Sequence, residues 1–418
     1  MRDRAFYSGE LEAPANWRAV QDRLARQAVA MGFQRSAEVR RRMERARVSI
    51  EDIHGVRNLA KLSVLRKDDI PELQAADPPF GGMLGVPVDE LRRILQSPGP
   101  ILDPQGDRPD FWRLAPALWA AGFRAGHIVL NSFSYHLTPG GHMLEGGLRE
   151  VRCVVIPGGV GSTGQQLSLA ARAGATAYVG TPQFLLTLLE NGAELDPPYR
   201  FARALVTGAP LPDPLRSRLQ QEFRVDVFQA YGTADAGALG YECAAKSGWH
   251  IAPQIVIEIA DPESGAPVDP GDPGEVVVTS PNDVYPLVRL GTGDISAIES
   301  TACGCGRTSP RLVGFLGRVG DGVKVRGMFV HPRQLEGVLT AAAGVARFQG
   351  VVSAAGHQDV FTVSIEPTGD GELDATALAR ALSDAAGVRV ELDIVEPGTL
   401  PDDPTPLVDG RERPAVRP

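Results

Sequence analysis

Apolar positions recur at helical spacing through residues 15–50 (Leu24, Ala28, Met31, Val39, Met43), with no internal glycine or proline before Gly32, and the stretch predicts two helices. Its many arginines read as a solvated face. From about Gly126 the pattern changes. Residues 127–130 make a short apolar run, a turn and a helix-length segment follow, and residues 151–157 make a second run. A helix-like stretch precedes residues 177–179, another follows Pro182, and residues 203–207 and 225–230 are again strands. Strands alternating with helices across short Gly/Pro joints predict a parallel sheet with crossover helices. Beyond Ile255 the strands are short and separated by Asp-Pro, Ser-Gly and Pro-Gly turns, as around residues 275–279, which suits a β-rich subdomain.

The last hundred residues predict a separate α+β unit. Residues 332–342 have helical spacing, 349–353 and 360–365 are strands, 375–386 is a helix with Asp374 as N-cap, and 388–395 is a strand. The hinge is expected near Arg318, and the Pro- and charge-rich tail from Asp402 is expected to be poorly ordered. The fold class is therefore α/β, with a large multi-subdomain domain over residues 1–317 and a small α+β lid over 318–418. No internal repeat is visible.

A chain of 418 residues exceeds one ordinary core, which agrees with that division. With 43% hydrophobic and 22% charged residues it fits a globular protein. The excess of 51 acidic over 42 basic residues, a net charge of −9, argues against a nucleic-acid partner. No apolar run approaches the roughly 18 residues of a membrane span, and MRDRAFYSGE lacks the apolar core of a signal peptide. A cytoplasmic protein without a membrane partner is expected, and a homodimer is a possible assembly. Four cysteines make no disulfide framework and are expected as thiols or metal ligands.

Candidate chemistry concentrates in residues 288–332, VRLGTGDISAIESTACGCGRTSPRLVGFLGRVGDGVKVRGMFVHP. A turn carboxylate (Asp294), a Cys-x-Cys knuckle, a Gly317-Arg318 step and a Lys324-x-Arg326-Gly327 turn follow in fixed order. Upstream lies Gln229-Ala-Tyr231-Gly232-Thr233-Ala234-Asp235. Cys243 and His250 stand seven residues apart, and with Cys303 and Cys305 they give three thiolates and an imidazole, the donor set of a closed structural Zn²⁺ site. Three buried thiols and a surface histidine are the alternative. Cys153, in an apolar strand, reads as a core thiol.

In this order the motifs resemble the adenylate-forming (AMP-binding) enzymes and, among them, the phenylacetate-CoA ligase group, from about Leu62 to about Leu400. The resemblance implies ATP-dependent ligation of an aryl or other small carboxylic acid to coenzyme A through an acyl-adenylate. It implies that Tyr231 packs on adenine, Gly208-Ala209-Pro210 closes the other side of the slot, Gly232 and Thr233 line the nucleotide, and Asp294 accepts from the ribose hydroxyls with Arg318 closing over it. Asp235 stands where the family has a Mg²⁺-binding Glu, and Gly327 lines the pantetheine channel. Phe133, Tyr135, His136 and Gly141 match the acyl-group wall. Phe133 and Tyr135 are alternatively core aromatics, and His136 a cap for the following helix.

Besides Asp235, the chain departs from the family at the residues that handle phosphate and at Gly320, where the family has Asp or Lys. Ala234 replaces a Ser or Thr. The phosphate loop is replaced by Gln96-Ser-Pro-Gly-Pro-Ile-Leu-Asp-Pro104, with one hydroxyl and Asp103 as its only charged side chain. The C-terminal catalytic lysine is absent from residues 400–411, leaving Arg411 and Arg413 as nearby cations. Gly158-Gly-Val-Gly-Ser-Thr-Gly164 has the composition of an anion nest, but a Gly-rich strand-to-helix turn is the preferred reading. The alternatives to full ligation are therefore a nucleotide or acyl-adenylate binding module, or an enzyme of the thioester half-reaction alone.

Overall fold

The computed structural model describes residues 5–12, 14–97, 101–325, 328–355, 358–368 and 373–411. The chain divides into two compact units. One comprises Met1–Asp272, Val276–Thr292 and Ala297–Gly314; the other comprises Pro273–Glu275, Gly293–Ser296 and Phe315–Pro418.

The first unit opens with the two expected helices, Pro14–Arg35 and Ala37–Ala46. Ser36 separates them and accepts a hydrogen bond from Val39 N, satisfying an otherwise orphaned helix N–H. Leu24, Ala25, Val29, Val39 and Met43 pack with Val256 and Val288. The expected solvated arginine face holds only in part. Arg42 is buried, its guanidinium donating to Val288 O at 2.7 Å and Ser63 O at 2.5 Å, and burial lowers its pKa to about 10. Two carbonyls supply the partners that let a long cationic side chain enter the core.

A nine-stranded sheet forms the centre of this unit, in the order Ile298–Glu299, Arg311–Leu312, Trp249–Ile251, Gly237–Tyr241, Asp226–Thr233, Arg203–Val206, Ala177–Gly180, Ile128–Asn131, Val154–Pro157. The last five pair in parallel, joined by helices including Gly140–Glu150, Thr163–Ala173, Pro182–Ala193 and Asp213–Gln221. The first of these strands in the chain, Ile128–Asn131, lies between the second and the third. The winding direction reverses there, and open parallel sheets bind ligands beyond the carboxyl ends of strands at such a reversal. Leu130, Tyr178, Leu185, Leu188, Phe201, Val206 and Val227 form the core beneath.

On either side of residues 98–100, Arg93–Ser97 pairs antiparallel with Ile101–Gln105, as the two arms of a β-hairpin. Gln74, on the helix Ile70–Ala76, clamps its second strand by donating to Leu102 O and accepting from Leu102 N, both at 2.9 Å. Strand alternation then places Leu95, Ser97, Ile101 and Asp103 on the buried face.

In the second unit Gly317–Arg318 pairs antiparallel with Asp294 and Ile295. Beyond it a four-stranded sheet, in the order Glu391–Ile394, Gln358–Pro367, Val345–Ala355, Leu407–Asp409, shares a core with the helices Pro332–Ala341 and Ala375–Ala386. Asp374 caps the second helix, accepting from Ala377 N at 2.9 Å. The expectation of a poorly ordered tail is corrected for residues 402–411. Leu407–Asp409 pairs in parallel with Gly350–Val352, and Leu407 is buried in the core, because one apolar residue in the Pro-rich stretch fills the sheet's edge. The strand expected at 388–395 is confined to Glu391–Ile394.

Candidate active site

Asn131, at the end of its parallel strand, is fully buried and organises the loop that follows. Its Nδ2 donates to Tyr135 Oη at 2.7 Å and to Gly141 O at 2.9 Å, while its Oδ1 accepts from Phe133 N at 3.2 Å. Gly141 is required by space, since a Cβ there would sit 2.6 Å from Ser134 O. Gly208, in the turn after Arg203–Val206, has φ +74°, and a Cβ would lie 3.1 Å from the Phe133 ring. Phe133 thus lies against Gly208, which brings together two motifs that the sequence reading had given separate roles. Tyr135 meets His142 edge to face. His136 is exposed, and Pro139 is the N-cap of Gly140–Glu150, so the capping role considered for His136 is excluded by position.

Tyr231 lies at the end of Asp226–Thr233, half-buried and stacked on Trp249 with centroids 5.2 Å apart. Its hydroxyl donates to Thr292 Oγ1 at 3.3 Å, and Thr292 donates to Val276 O at 2.9 Å. Gly232 is exposed, and Thr233 Oγ1 accepts from Ala236 N at 3.2 Å, so that hydroxyl braces its own turn. Trp112 Nε1 donates to Ala234 O at 2.9 Å, fixing the backbone beside Asp235.

Asp235 has a fully buried side chain, and Lys67 Nζ reaches its Oδ2 at 2.7 Å. Asp103 and Ser97, from the hairpin, complete the surroundings. Asp103 is 1% exposed; burial first, then the neighbouring Asp235 carboxylate, push its carboxyl up to about 8. Sequence reasoning did not single out Lys67, which sits just beyond a two-residue strand, Leu65–Arg66, too short to carry a period.

Asp294 and Arg318 stand opposite each other in their ladder, with Arg318 Nε 3.3 Å from Asp294 Oδ1. The ion pair brings together the two side chains that the resemblance sends to one ribose. Arg411 is bound to Asp409 Oδ1 at 2.8 Å and Asp359 Oδ1 at 3.1 Å, so its charge is already balanced within the second unit. Gly327 and Arg326, expected beside the pantetheine channel, lie outside the described residues, as do Arg413 and the hairpin tip 98–100. The Gly158–164 segment is the exposed turn between Val154–Pro157 and Thr163–Ala173. Gln166 Nε2 donates to Gly159 O at 3.1 Å and Gly161 O at 2.5 Å, so carbonyls of the turn are braced from inside.

The Cys/His set converges as its spacing suggested. The ligand atoms of Cys243, His250, Cys303 and Cys305 all lie within 4.8 Å of one another. Cys243 and Cys303 sulfurs are 3.6 Å apart, and Cys305 Sγ is 3.4 Å from His250 Nε2. A tetrahedron with Zn–S near 2.3 Å has edges of about 3.8 Å, so the spacing fits a zinc ion. His250 Nδ1 faces Ser309 O at 3.1 Å, an arrangement that turns the Nε2 lone pair toward the sulfurs. Cys153 is a buried thiol donating to Arg124 O at 3.3 Å, raised by burial to about 11 and remote in character from these ligands.

Among the described residues no helix is long and apolar enough to cross a membrane. Residues 134–284 match the AMP-binding enzyme family and residues 327–405 the AMP-binding enzyme C-terminal domain. Phenylacetate-coenzyme A ligase of Thermus thermophilus is 29% identical over 95% of this chain and 96% of its own length. That of Pseudomonas putida is 30% identical over 68% of this chain and 67% of its own. In fold, the chain matches an open conformation of 2-hydroxyisobutyryl-CoA ligase, solved with 2-HIB-AMP and CoA, at a TM-score of 0.84 and 22% identity, covering 96% of this chain and 93% of that one. MatB from Rhodopseudomonas palustris matches at a TM-score of 0.54 and 19% identity, over 77% and 67%. The chain has the adenylate-forming fold, and it belongs to the AMP-binding enzyme family, in the phenylacetate-coenzyme A ligase group.

Proposed function

We propose that the protein joins a small carboxylic acid, of the aryl class its relatives' name indicates, to coenzyme A through an acyl-adenylate made from ATP. A carboxylate oxygen attacks the α-phosphorus and pyrophosphate leaves; the coenzyme A thiolate then attacks the acyl carbon and AMP leaves with the C–O electron pair. The observation that carries this reading is the ion pair of Asp294 with Arg318 at 3.3 Å, which presents an acceptor and a cation from two adjacent strands. Tyr231 and the Gly208 turn would hold adenine, Asp294 and Arg318 the ribose, and Phe133, Tyr135, His136 and Gly141 the acyl group. Residues 318–418 would act as the lid over residues 1–317, with Gly327 along the pantetheine channel, in a cytoplasmic protein. Cys243, His250, Cys303 and Cys305 would hold a structural zinc, and Asp235 would be a ligand of Mg²⁺.

One observation favours a second reading, in which only the thioester half-reaction survives. Where the resemblance calls for phosphate donors, the buried face of the hairpin carries the carboxylate of Asp103. Ala234 offers no hydroxyl, and Arg411 is committed to two aspartates. Incubating the protein with coenzyme A and either ATP plus a panel of aryl and short acids, or the preformed acyl-adenylates, separates the readings. Thioester from acid and ATP supports full ligation; thioester from adenylates alone supports the second reading; thioester from neither rejects both.

A further inference from the structure

Four buried oxygen atoms around Asp235 find no hydrogen-bond partner outside their own group. They are both carboxylate oxygens of Asp103, Oδ1 of Asp235, and Oγ of Ser97. Ser97 is 5% exposed, Asp103 1% and Asp235 6%, so solvent does not satisfy them. Leaving such groups unpaired is costly, and carboxylates more so than hydroxyls. They come from two independent parts of the chain: the hairpin Arg93–Ser97/Ile101–Gln105, locked by Gln74, and the turn after Asp226–Thr233, locked by Trp112. Lys67 is bonded to Oδ2 of Asp235 and leaves Oδ1 open.

We propose that Asp103, Asp235 Oδ1 and Ser97 form a divalent-cation site that fills without nucleotide, with Asp103 as a second carboxylate ligand contributed by this chain's hairpin. Hard oxygens from two separate carboxylates and a hydroxyl are the donor set of Mg²⁺ or Mn²⁺. Lys67 holds Asp235 in place from the opposite oxygen. Filling the site adds a divalent positive charge to this centre, which then attracts phosphate. The cation therefore binds first and the nucleotide second. The proposal rests on reading Asp235 as the magnesium carboxylate.

Mn²⁺ alone, titrated calorimetrically and by loss of free-ion paramagnetic resonance signal into the zinc-loaded full chain without nucleotide, tests it. One Mn²⁺ per chain is expected, with affinity weakened about tenfold or more in both Asp103→Asn and Asp235→Asn. Cys303→Ser should leave this Mn²⁺ unaffected, separating it from the thiolate site. Thermal melting of the Asn variants checks that these isosteric changes leave the fold intact. No Mn²⁺ uptake by the intact protein at millimolar concentrations overturns the proposal. Weakening in Asp235→Asn but not Asp103→Asn overturns the role of Asp103 while sparing Asp235. Thioester formation from a supplied aryl-adenylate, measured without added metal, reports on the functional reading independently.

Discussion

At the scale of single residues, Asp294 offers a direct test of where nucleotide binds. Its carboxylate is one-tenth exposed and faces Arg318, so a ribose bound there gains a charge-assisted acceptor. Hydrogen bonds to a charged group contribute about 1.5–3 kcal/mol, so Asp294→Ala should weaken AMP binding about tenfold or more. Unchanged AMP affinity by calorimetry would move the nucleotide away from this strand pair. The zinc set gives a second test. Purified protein should contain one zinc per chain, and Cys303→Ser or Cys305→Ser should lower both metal content and melting temperature, because a closed site contributes its binding energy to folding. In the sequence the Cys/His set stands out because cysteine and histidine are few, and Asp294 because of its place in an ordered series of motifs. Lys67 and the burial of Ser97 do not, since a lysine after a short strand and a serine before a proline carry no local signal.

At the scale of elements, the strand Leu287–Ser296 depends on a buried cation that composition would place on the surface. Arg289 is 1% exposed and donates to Glu258 Oε2 at 3.2 Å, Leu62 O at 2.6 Å and Gly265 O at 2.7 Å. Removing one partner of a buried pair strands the other, so Arg289→Met should cost about 3–5 kcal/mol in urea unfolding. A loss below about 1 kcal/mol would mean the carbonyls and Glu258 find other partners. Burial also raises Glu258 from 4.5 to about 7 against the pull of Arg289. The folded state then holds this proton more tightly than the unfolded state. Its contribution is fully present below pH 4.5 and is lost as pH rises through about 7. Glu258→Gln should remove that part of the pH dependence, so the stability difference between wild type and variant should turn against wild type across this window. The alternating strands and helices were readable from periodicity, because each crossover helix shows one apolar face. The strands Arg93–Ser97 and Ile101–Gln105 and the strand Leu407–Asp409 were not, because prolines lie between or beside them and their pairing is set by Gln74 and Leu407 rather than by local propensity.

At the scale of the whole molecule, the family's two half-reactions place different demands on this chain. Adenylation concentrates negative charge on the α-phosphate and the departing pyrophosphate, where one preorganised donor contributes roughly 3 to 4 kcal/mol. Residues 400–411 contain no lysine, position 234 is alanine, and the hairpin presents Asp103 instead of a row of hydroxyls. These losses do not add, but any two would slow the step by several orders of magnitude. Thiol capture starts from a mixed anhydride that is already activated and requires only the acyl wall, the adenylate slot and a path for the thiol. Of the residues proposed for these roles, Tyr135 is held by Asn131, Tyr231 stacks on Trp249 and Asp294 pairs with Arg318. Carboxylate-dependent exchange of pyrophosphate into ATP should accordingly be very weak, while phenylacetyl-adenylate or a related aryl-adenylate should be converted to its coenzyme A thioester. Exchange at a rate comparable with thioester formation would show that Arg411 leaves Asp409 and Asp359 to serve the α-phosphate. In that case Arg411→Gln should abolish exchange while leaving capture of the supplied adenylate intact.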